Sequence, residues 1–249
     1  NKAKFAQPVK ALVNALLEAE PPVLYSQHDP TSPVTEAQMM TSLTNLADRE
    51  LVEIINWAKR IPGFSDLSLS DQVTLLQSCW MELLILGLAW RSMDHEGKLV
   101  FAPDLILDRE RSKCVAGMEE ICNQVLALAE QFKELKVKKE EFVCLKAITL
   151  LNSGICLSLS SEAERLEDHA KVQQLQDMIH DALIDTIARS HNQSPQQSRR
   201  LAQLLLLLPH IRQISNRGVE HLYSMKSEGR VPLYDLLLEM LDAQSPQSL

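Results

Sequence analysis

The stretch Met81-Glu82-Leu83-Leu84-Ile85-Leu86-Gly87-Leu88-Ala89-Trp90 is apolar almost all the way round a helical wheel. Such a helix has little face to offer water, so it belongs at the centre of a layered fold with other elements around it. The chain supplies those elements as helices. Glycine occurs 7 times in 249 residues, where average usage gives roughly 17. That scarcity excludes Gly-rich phosphate loops and a fold built on many tight turns. The expected class is all-α.

Proline and polar clusters divide the helical periods, with no repeat and no low-complexity tract. A short helix reads over about 9–18, followed by a Pro-rich loop over 21–34. Thr35 is the N-cap candidate of a long helix that ends at Arg60, before Pro62-Gly63. Ser68 and Asp71 open the next, to about Arg91. His95-Glu96-Gly97 with Lys98–Phe101 gives the one expected hairpin, before Pro103. Further helices read at about 112–135, 139–159, 163–190 and 195–226. A terminal helix over 232–243 carries Leu233, Leu236, Leu237, Met240 and Leu241 at i, i+3, i+4, i+7 and i+8. A helix of about ten residues is marginal unless it docks. Residues 1–249 are expected to form one domain.

The formal charge is −8, from 25 basic and 33 acidic residues, which argues against a nucleic-acid partner because phosphate binding needs clustered Lys and Arg. Cys79, Cys114, Cys122, Cys144 and Cys156 form no CxxC, so they read as buried thiols in a reducing compartment, without a zinc site. No apolar run approaches the roughly 18 residues of a membrane span, since Glu82, Gln203 and Pro209 interrupt the candidates. The start lacks an apolar signal core. The expectation is a soluble intracellular domain cut from a longer protein.

Enzymatic templates fail in turn: there is no GxGxxG, GxxxxGK, GxSxG or HExxH, and no His has a partner at i+3 or i+4. No catalytic residue, metal or cofactor is expected. The informative residues are polar ones stranded on apolar faces, because a buried charge needs a partner or a ligand. Glu50 shares a face with Leu43, Leu46, Ala47 and Ile54, and Arg91 shares one with Leu84, Ile85 and Leu88. Together they are either a structural ion pair or a preorganised pair for a neutral hydroxyl. His221 follows Leu207, Ile211, Ile214 and Gly218, and is either a satisfied core residue or a ligand contact. Val52, Ile55 and Lys59 form a second strip that Phe64, Leu69, Val73 and Leu76 continue, with Glu239 on the terminal helix. That pattern is either core packing with two surface charges or a groove for an amphipathic helix, whose ends a Glu and a Lys would cap.

Leu17-Glu18-Ala19-Glu20-Pro21-Pro22, the run Leu43 to Val52, Asn56-Trp57-Ala58-Lys59, Pro62-Gly63-Phe64, Trp90-Arg91-Ser92-Met93, Lys98 to Pro103, Glu141 to Gly154, Glu220 to Lys226 and Val231 to Ala243 carry a further signal. In these segments, across nearly its whole length, the chain resembles a nuclear-receptor ligand-binding domain, most closely that of the estrogen receptors. The resemblance implies a three-layer antiparallel α-helical sandwich in a nuclear transcription factor that binds an estrogen-like steroid, homodimerises and recruits LxxLL coactivators. The family's zinc-containing DNA-binding domain has no counterpart in this sequence.

By the same resemblance, Glu50 and Arg91 match the pair that holds a phenolic hydroxyl, and His221 matches the residue that meets the far hydroxyl. Leu43, Leu46, Ala47, Leu84, Leu88, Phe101, Met118, Ile121 and Leu222 match the pocket wall. Lys59 and Glu239 match the clamp on the coactivator helix, and Val52, Ile55, Gln72, Val73, Leu76, Leu236 and Met240 match its groove. Leu201, Leu205 and Leu208 fall in the dimer helix. Gln77, Ala89, Cys122, Pro209 and Val219 depart from the estrogen-receptor pattern and point to a divergent invertebrate or ancestral-type member. The alternative is a constitutively active receptor of the same fold whose pocket is filled. A helical enzyme using Glu50, Arg91 or His221 as acid or base lacks an accompanying nucleophile or metal site.

Overall fold

The computed structural model describes residues 2–27, 31, 35–113, 115, 117–157, 166–190, 193–230 and 233–244, with side chains from residue 9 and, in the helix that ends at 157, as far as 153. Among them the chain is all-α with one antiparallel hairpin. The helices are α1 (Lys2–Glu18), α2 (Glu36–Arg60), α3 (Leu69–Ser92), α4 (Arg109–Ser112), α5 (Met118–Glu134), α6 (Lys139–Leu157), α7 (His169–Ser190), α8 (Ser194–Leu205), α9 (Leu207–Ser227) and α10 (Asp235–Ala243). The strands are β1 (Lys98–Ala102) and β2 (Leu105–Asp108).

The long helices start where the sequence places their caps. Thr35 Oγ1 accepts the Gln38 N–H at 3.2 Å and Gln38 Oε1 faces the Thr35 N–H at 3.5 Å, a capping box at the start of α2. Ser68 Oγ accepts the Asp71 N–H and opens α3. Elsewhere the boundaries move for identifiable reasons. The helix expected at 195–226 is two, α8 and α9, separated at Leu206. Pro209 accounts for the break, since its ring would clash with the Leu205 carbonyl of a continuous helix. The helix expected from 112 begins at Met118, because Gly117 at φ +84° cannot sit inside a right-handed helix. The hairpin turns at Pro103-Asp104, after Lys98–Ala102, rather than before Lys98. Proline presets the turn, and Leu105 and Leu107 then alternate into the core.

α1 extends back to Lys2 and α10 starts at Asp235, while Pro232, the expected start of the terminal helix, lies outside the described residues. So do residues 163–165 and 158–159, to which the expectations for α7 and α6 reach, and parts of the Pro-rich loop.

The fold divides into two compact units. Unit one comprises Asn1–Pro21, Ile55–Cys79 and Val137–Pro209. Its core is built on Trp57, Phe64 and Phe142, with α6 packed along α7. Its buried charged groups are paired, as burial requires. The Asp71 carboxylate accepts the backbone N–H groups of Glu167 and Asp168 at 2.7 and 3.0 Å, Arg200 grips Glu141 through two nitrogens, and Lys146 meets Glu20 at 2.8 Å while lying over the Trp57 ring.

Unit two comprises Pro22–Ile54, Trp80–Lys136 and His210–Leu249. Met39, Met40, Leu43 and Leu46 of α2 pack there with Ala102, Leu105 and Leu107 of the hairpin and Met225 of α9. α3 is long and apolar enough in composition to cross a membrane, unlike the expectation from its charges, and more than half of its most apolar stretch is buried in the fold. Within unit two its buried carboxylate, Glu82, is paired with Arg212 at 2.5 Å, and burial still pushes its pKa up.

Candidate ligand-binding site

Unit two holds a cavity of about 160 Å³, and every residue of its wall belongs to that unit. α2 contributes Leu43, Leu46, Ala47 and Glu50, and α3 contributes Leu84, Leu88 and Arg91. Phe101 comes from β1, Met118 and Ile121 from α5, and His221 and Leu222 from α9. The i, i+3, i+4 spacing that grouped these residues in the sequence is what turns them to one side of each helix.

Glu50 and Arg91 meet at 3.0 Å, with 20% and 31% of their side-chain surfaces exposed. The position of Arg91 is set by the strand beside it. Val100 donates its N–H to Ser92 Oγ at 2.8 Å, and its carbonyl accepts from Arg91 Nε at 3.1 Å. Arg91 also lies in the last turn of α3, where the helix dipole favours a cation. The result is a carboxylate that accepts and a guanidinium that donates, side by side in an apolar wall, which is what one neutral hydroxyl needs on both counts.

His221 is held differently. Its ring packs against the backbone of Gly117, where a Cβ would come within 2.8 Å of Cε1. Gly117 therefore serves twice, by its positive φ and by the space it leaves. Burial, with help from the Arg230 charge, holds the imidazole below its ordinary pKa, while Glu228 and Glu36 oppose the shift. The ring is neutral at pH 7. Its Nε2 is buried without a hydrogen-bond partner among the described residues, an unmet demand that an incoming polar group can satisfy.

Several wall residues escaped the sequence reading: Met40, Thr44, Trp80, Met81, Ile85, Leu99, Cys122, Val125, Gly218 and Leu237. Most are apolar residues with no polar neighbour on their stripe to mark them. Gly218 did carry a signal, a glycine inside a helix, and a Cβ there would sit 3.2 Å from Met81 Sδ. The cavity far exceeds the roughly 30 Å³ of one water and falls below the roughly 300 Å³ at which ligand pockets begin. Three methionines in its wall, Met40, Met81 and Met118, are the side chains best able to yield volume. Cys122 in the same wall has its thiol pushed up to about 11 by burial, and Cys144 elsewhere to about 12. Cys79 is also a buried thiol, outside any disulfide. The Cys114 and Cys156 side chains lie outside the described residues.

The remaining candidates fall in both units. In unit one, Lys59 is exposed, Val73 is 42% exposed, Ile55 and Gln72 are half-buried, and Leu76 is buried. The strip read through Phe64 is interrupted, because Phe64 belongs to the core of that unit. In unit two, Val52 is 45% exposed, Glu239 is exposed, Leu236 is half-buried and Met240 is buried. Leu201, Leu205 and Leu208 are half-buried in unit one, and Leu206 among them is 67% exposed.

α10 is docked within unit two. Leu237, Met240 and Leu241 are buried, and Asp48 of α2 accepts the Leu237 N–H at 3.0 Å, satisfying a free amide of the first turn. Nothing in the sequence had singled out Asp48.

Comparison with known proteins places this geometry. The family model for the ligand-binding domain of nuclear hormone receptors matches residues 28–228. The estrogen receptor of Taeniopygia guttata is 57% identical over 243 residues, 98% of this chain and 41% of that protein. The estrogen receptor of Rattus norvegicus is 58% identical over 232 residues, 93% of this chain and 39% of that protein. Estrogen receptor beta-2 of Carassius auratus is 56% identical over 237 residues, 95% of this chain and 39% of that protein. The chain thus spans about two fifths of the length of these relatives. The family is one of ligand-regulated transcription factors, not enzymes. With the family match covering well over half the chain, the chain belongs to the nuclear hormone receptor ligand-binding domains.

Proposed function

We propose that this chain is, as a single domain over 1–249, the ligand-binding and transactivation module of an estrogen-receptor-like nuclear receptor that works in the nucleus. The ligand is a flat, mostly apolar, steroid-sized molecule with a hydroxyl at each end. Glu50 and Arg91 hold one hydroxyl and His221 holds the other. The observation that carries this reading is the neutral, buried, unpartnered His221 Nε2 in the same apolar cavity as an ion pair with one acceptor and one donor side by side. Leu201, Leu205 and Leu208 serve a homodimer, to which the exposed Leu206 adds apolar surface. The protein partner is an LxxLL coactivator helix, for which the resemblance assigns Lys59 and Glu239 as clamp residues and Val52, Ile55, Gln72, Val73, Leu76, Leu236 and Met240 as groove residues. This domain itself contacts neither nucleic acid nor membrane.

A second reading, the constitutive receptor with a filled pocket, is favoured by one specific observation. The cavity of about 160 Å³ is small for a steroid. Fluorescence titration of an LxxLL peptide with and without a phenolic steroid separates the two. Tightening by the steroid supports ligand control, since a ligand shifts the equilibrium only by its differential affinity. Equal affinity in both titrations supports the constitutive form, and absence of peptide binding in both removes the coactivator reading.

A further inference from the structure

α10 has 9 residues, too few to persist as a helix without docking. Its apolar face is buried in unit two, and two ion pairs lie outside that face. Gly229, at φ +67°, ends α9 in a left-handed cap, where the Gly229 N–H reaches the Lys226 carbonyl and the Arg230 N–H the Met225 carbonyl, both at 3.0 Å. This turn fixes the direction in which the chain leaves α9 and sets Arg230 opposite the first residue of α2. Arg230 pairs there with Glu36, and with Glu228 at 3.1 Å. At the other end of the segment, Lys226 of α9 pairs with Asp242 of α10.

The two pairs bracket the terminal element. One ties the connection that leads into α10 to α2, and the other ties the last turn of α10 to α9. Neither uses a residue of the cavity wall.

We infer that Arg230–Glu36 and Lys226–Asp242 act as two ionic straps that help hold α10 docked, so that the docked fraction falls as ionic strength rises. All four side chains are about one third to one half exposed, so each strap is weak and open to screening. Together they tune an equilibrium that the apolar face makes possible. The inference concerns the chain alone and is independent of the ligand and coactivator assigned above.

Hydrogen exchange of the α10 amides, read by mass spectrometry with α5 as internal reference, tests it. At low salt, Arg230→Gln and Lys226→Gln should each raise α10 exchange about two- to five-fold. The two effects should multiply in the double variant. Glu36→Gln should change the Arg230→Gln variant less than it changes the wild type, because both substitutions remove the Arg230–Glu36 pair. About 1 M salt, where the screening length falls to about 3 Å, should bring the wild-type chain to the rate of the double variant and leave that variant nearly unchanged. Wild-type exchange in the double variant at low salt would overturn the inference. So would equal salt sensitivity of the two proteins, or an equal rise in α5, which would report loosening of the whole unit. The salt series on the unmodified chain keeps the test open if a variant folds poorly.

Discussion

Replacing Glu50 by Ala leaves Arg91 facing an apolar wall without its carboxylate. Exposed pairs contribute about 0–1 kcal/mol, whereas removal of one partner from a fully buried pair is destabilising by about 3–5 kcal/mol. Glu50 and Arg91, at 20% and 31% exposure and 3.0 Å apart, lie between these limits. Arg91 keeps its bond to the Val100 carbonyl, which places the expected loss nearer the lower limit, at about 2 kcal/mol. For a domain of this size about 1 kcal/mol moves the melting temperature by about 2–4 °C, so the ligand-free variant should melt about 4–8 °C lower. Glu50→Gln keeps the shape and an acceptor oxygen, and should lose about half as much. Thermal denaturation followed by circular dichroism reads both variants. In the liganded protein the loss should grow by the further 1.5–3 kcal/mol or so of a hydrogen bond to a charged group. A Glu50→Ala variant that melts within a degree of the wild type would refute the reasoning, since a pair that can be broken without effect is already solvated.

Lys59→Ala and Glu239→Ala should each weaken an LxxLL peptide by about 1–2 kcal/mol as charge-assisted contacts are lost, with ligand affinity unchanged in calorimetry because neither residue lines the cavity. Leu205→Glu with Leu208→Glu places two charges in the proposed dimer patch, where they would be neither solvated nor paired, and should give a monomer in sedimentation; an unchanged dimer would place the interface elsewhere. Burial holds the His221 pKa below the usual value, so the unfolded chain takes up this proton at about 6.5 while the folded chain resists. The stability tied to His221 is therefore present above about pH 6.5 and lost as pH falls towards the folded pKa. Denaturant titrations between about pH 7 and 5.5 should show a smaller decline in His221→Gln than in the wild type.

The parts of this molecule that were legible in the sequence are those set by local rules. Thr35 and Ser68 announce helix starts because a side-chain oxygen within three residues satisfies an amide. The stripes around Glu50, Arg91 and His221 are visible because 3.6 residues per turn brings them to one face. Tertiary facts were not legible. Gly117 ends one expected helix early and cradles His221, yet its positive φ and the ring beside it come from residues more than a hundred positions apart. The division at Leu206 depended on recognising that Pro209 acts on the carbonyl four residues before it. Asp48 looked like an ordinary surface acid on α2, and its role follows only from where the distant α10 docks. Phe64 matched an exposed strip by spacing, but the core of unit one claims it. The resemblance named more of the cavity wall than periodicity did, because it drew on a fold in which those distances are already folded in.

The central claim is that the cavity takes a hydroxylated, steroid-sized ligand by yielding at its methionines. Isothermal titration calorimetry with a phenolic steroid, and with the same skeleton lacking the phenolic hydroxyl, tests it directly. The phenol should bind at micromolar concentration or tighter. The deoxy analogue should bind at least about tenfold more weakly, because it leaves the Glu50–Arg91 pair desolvated and unanswered. No heat of binding from either compound at micromolar concentrations would contradict the account and leave the filled-pocket receptor in its place.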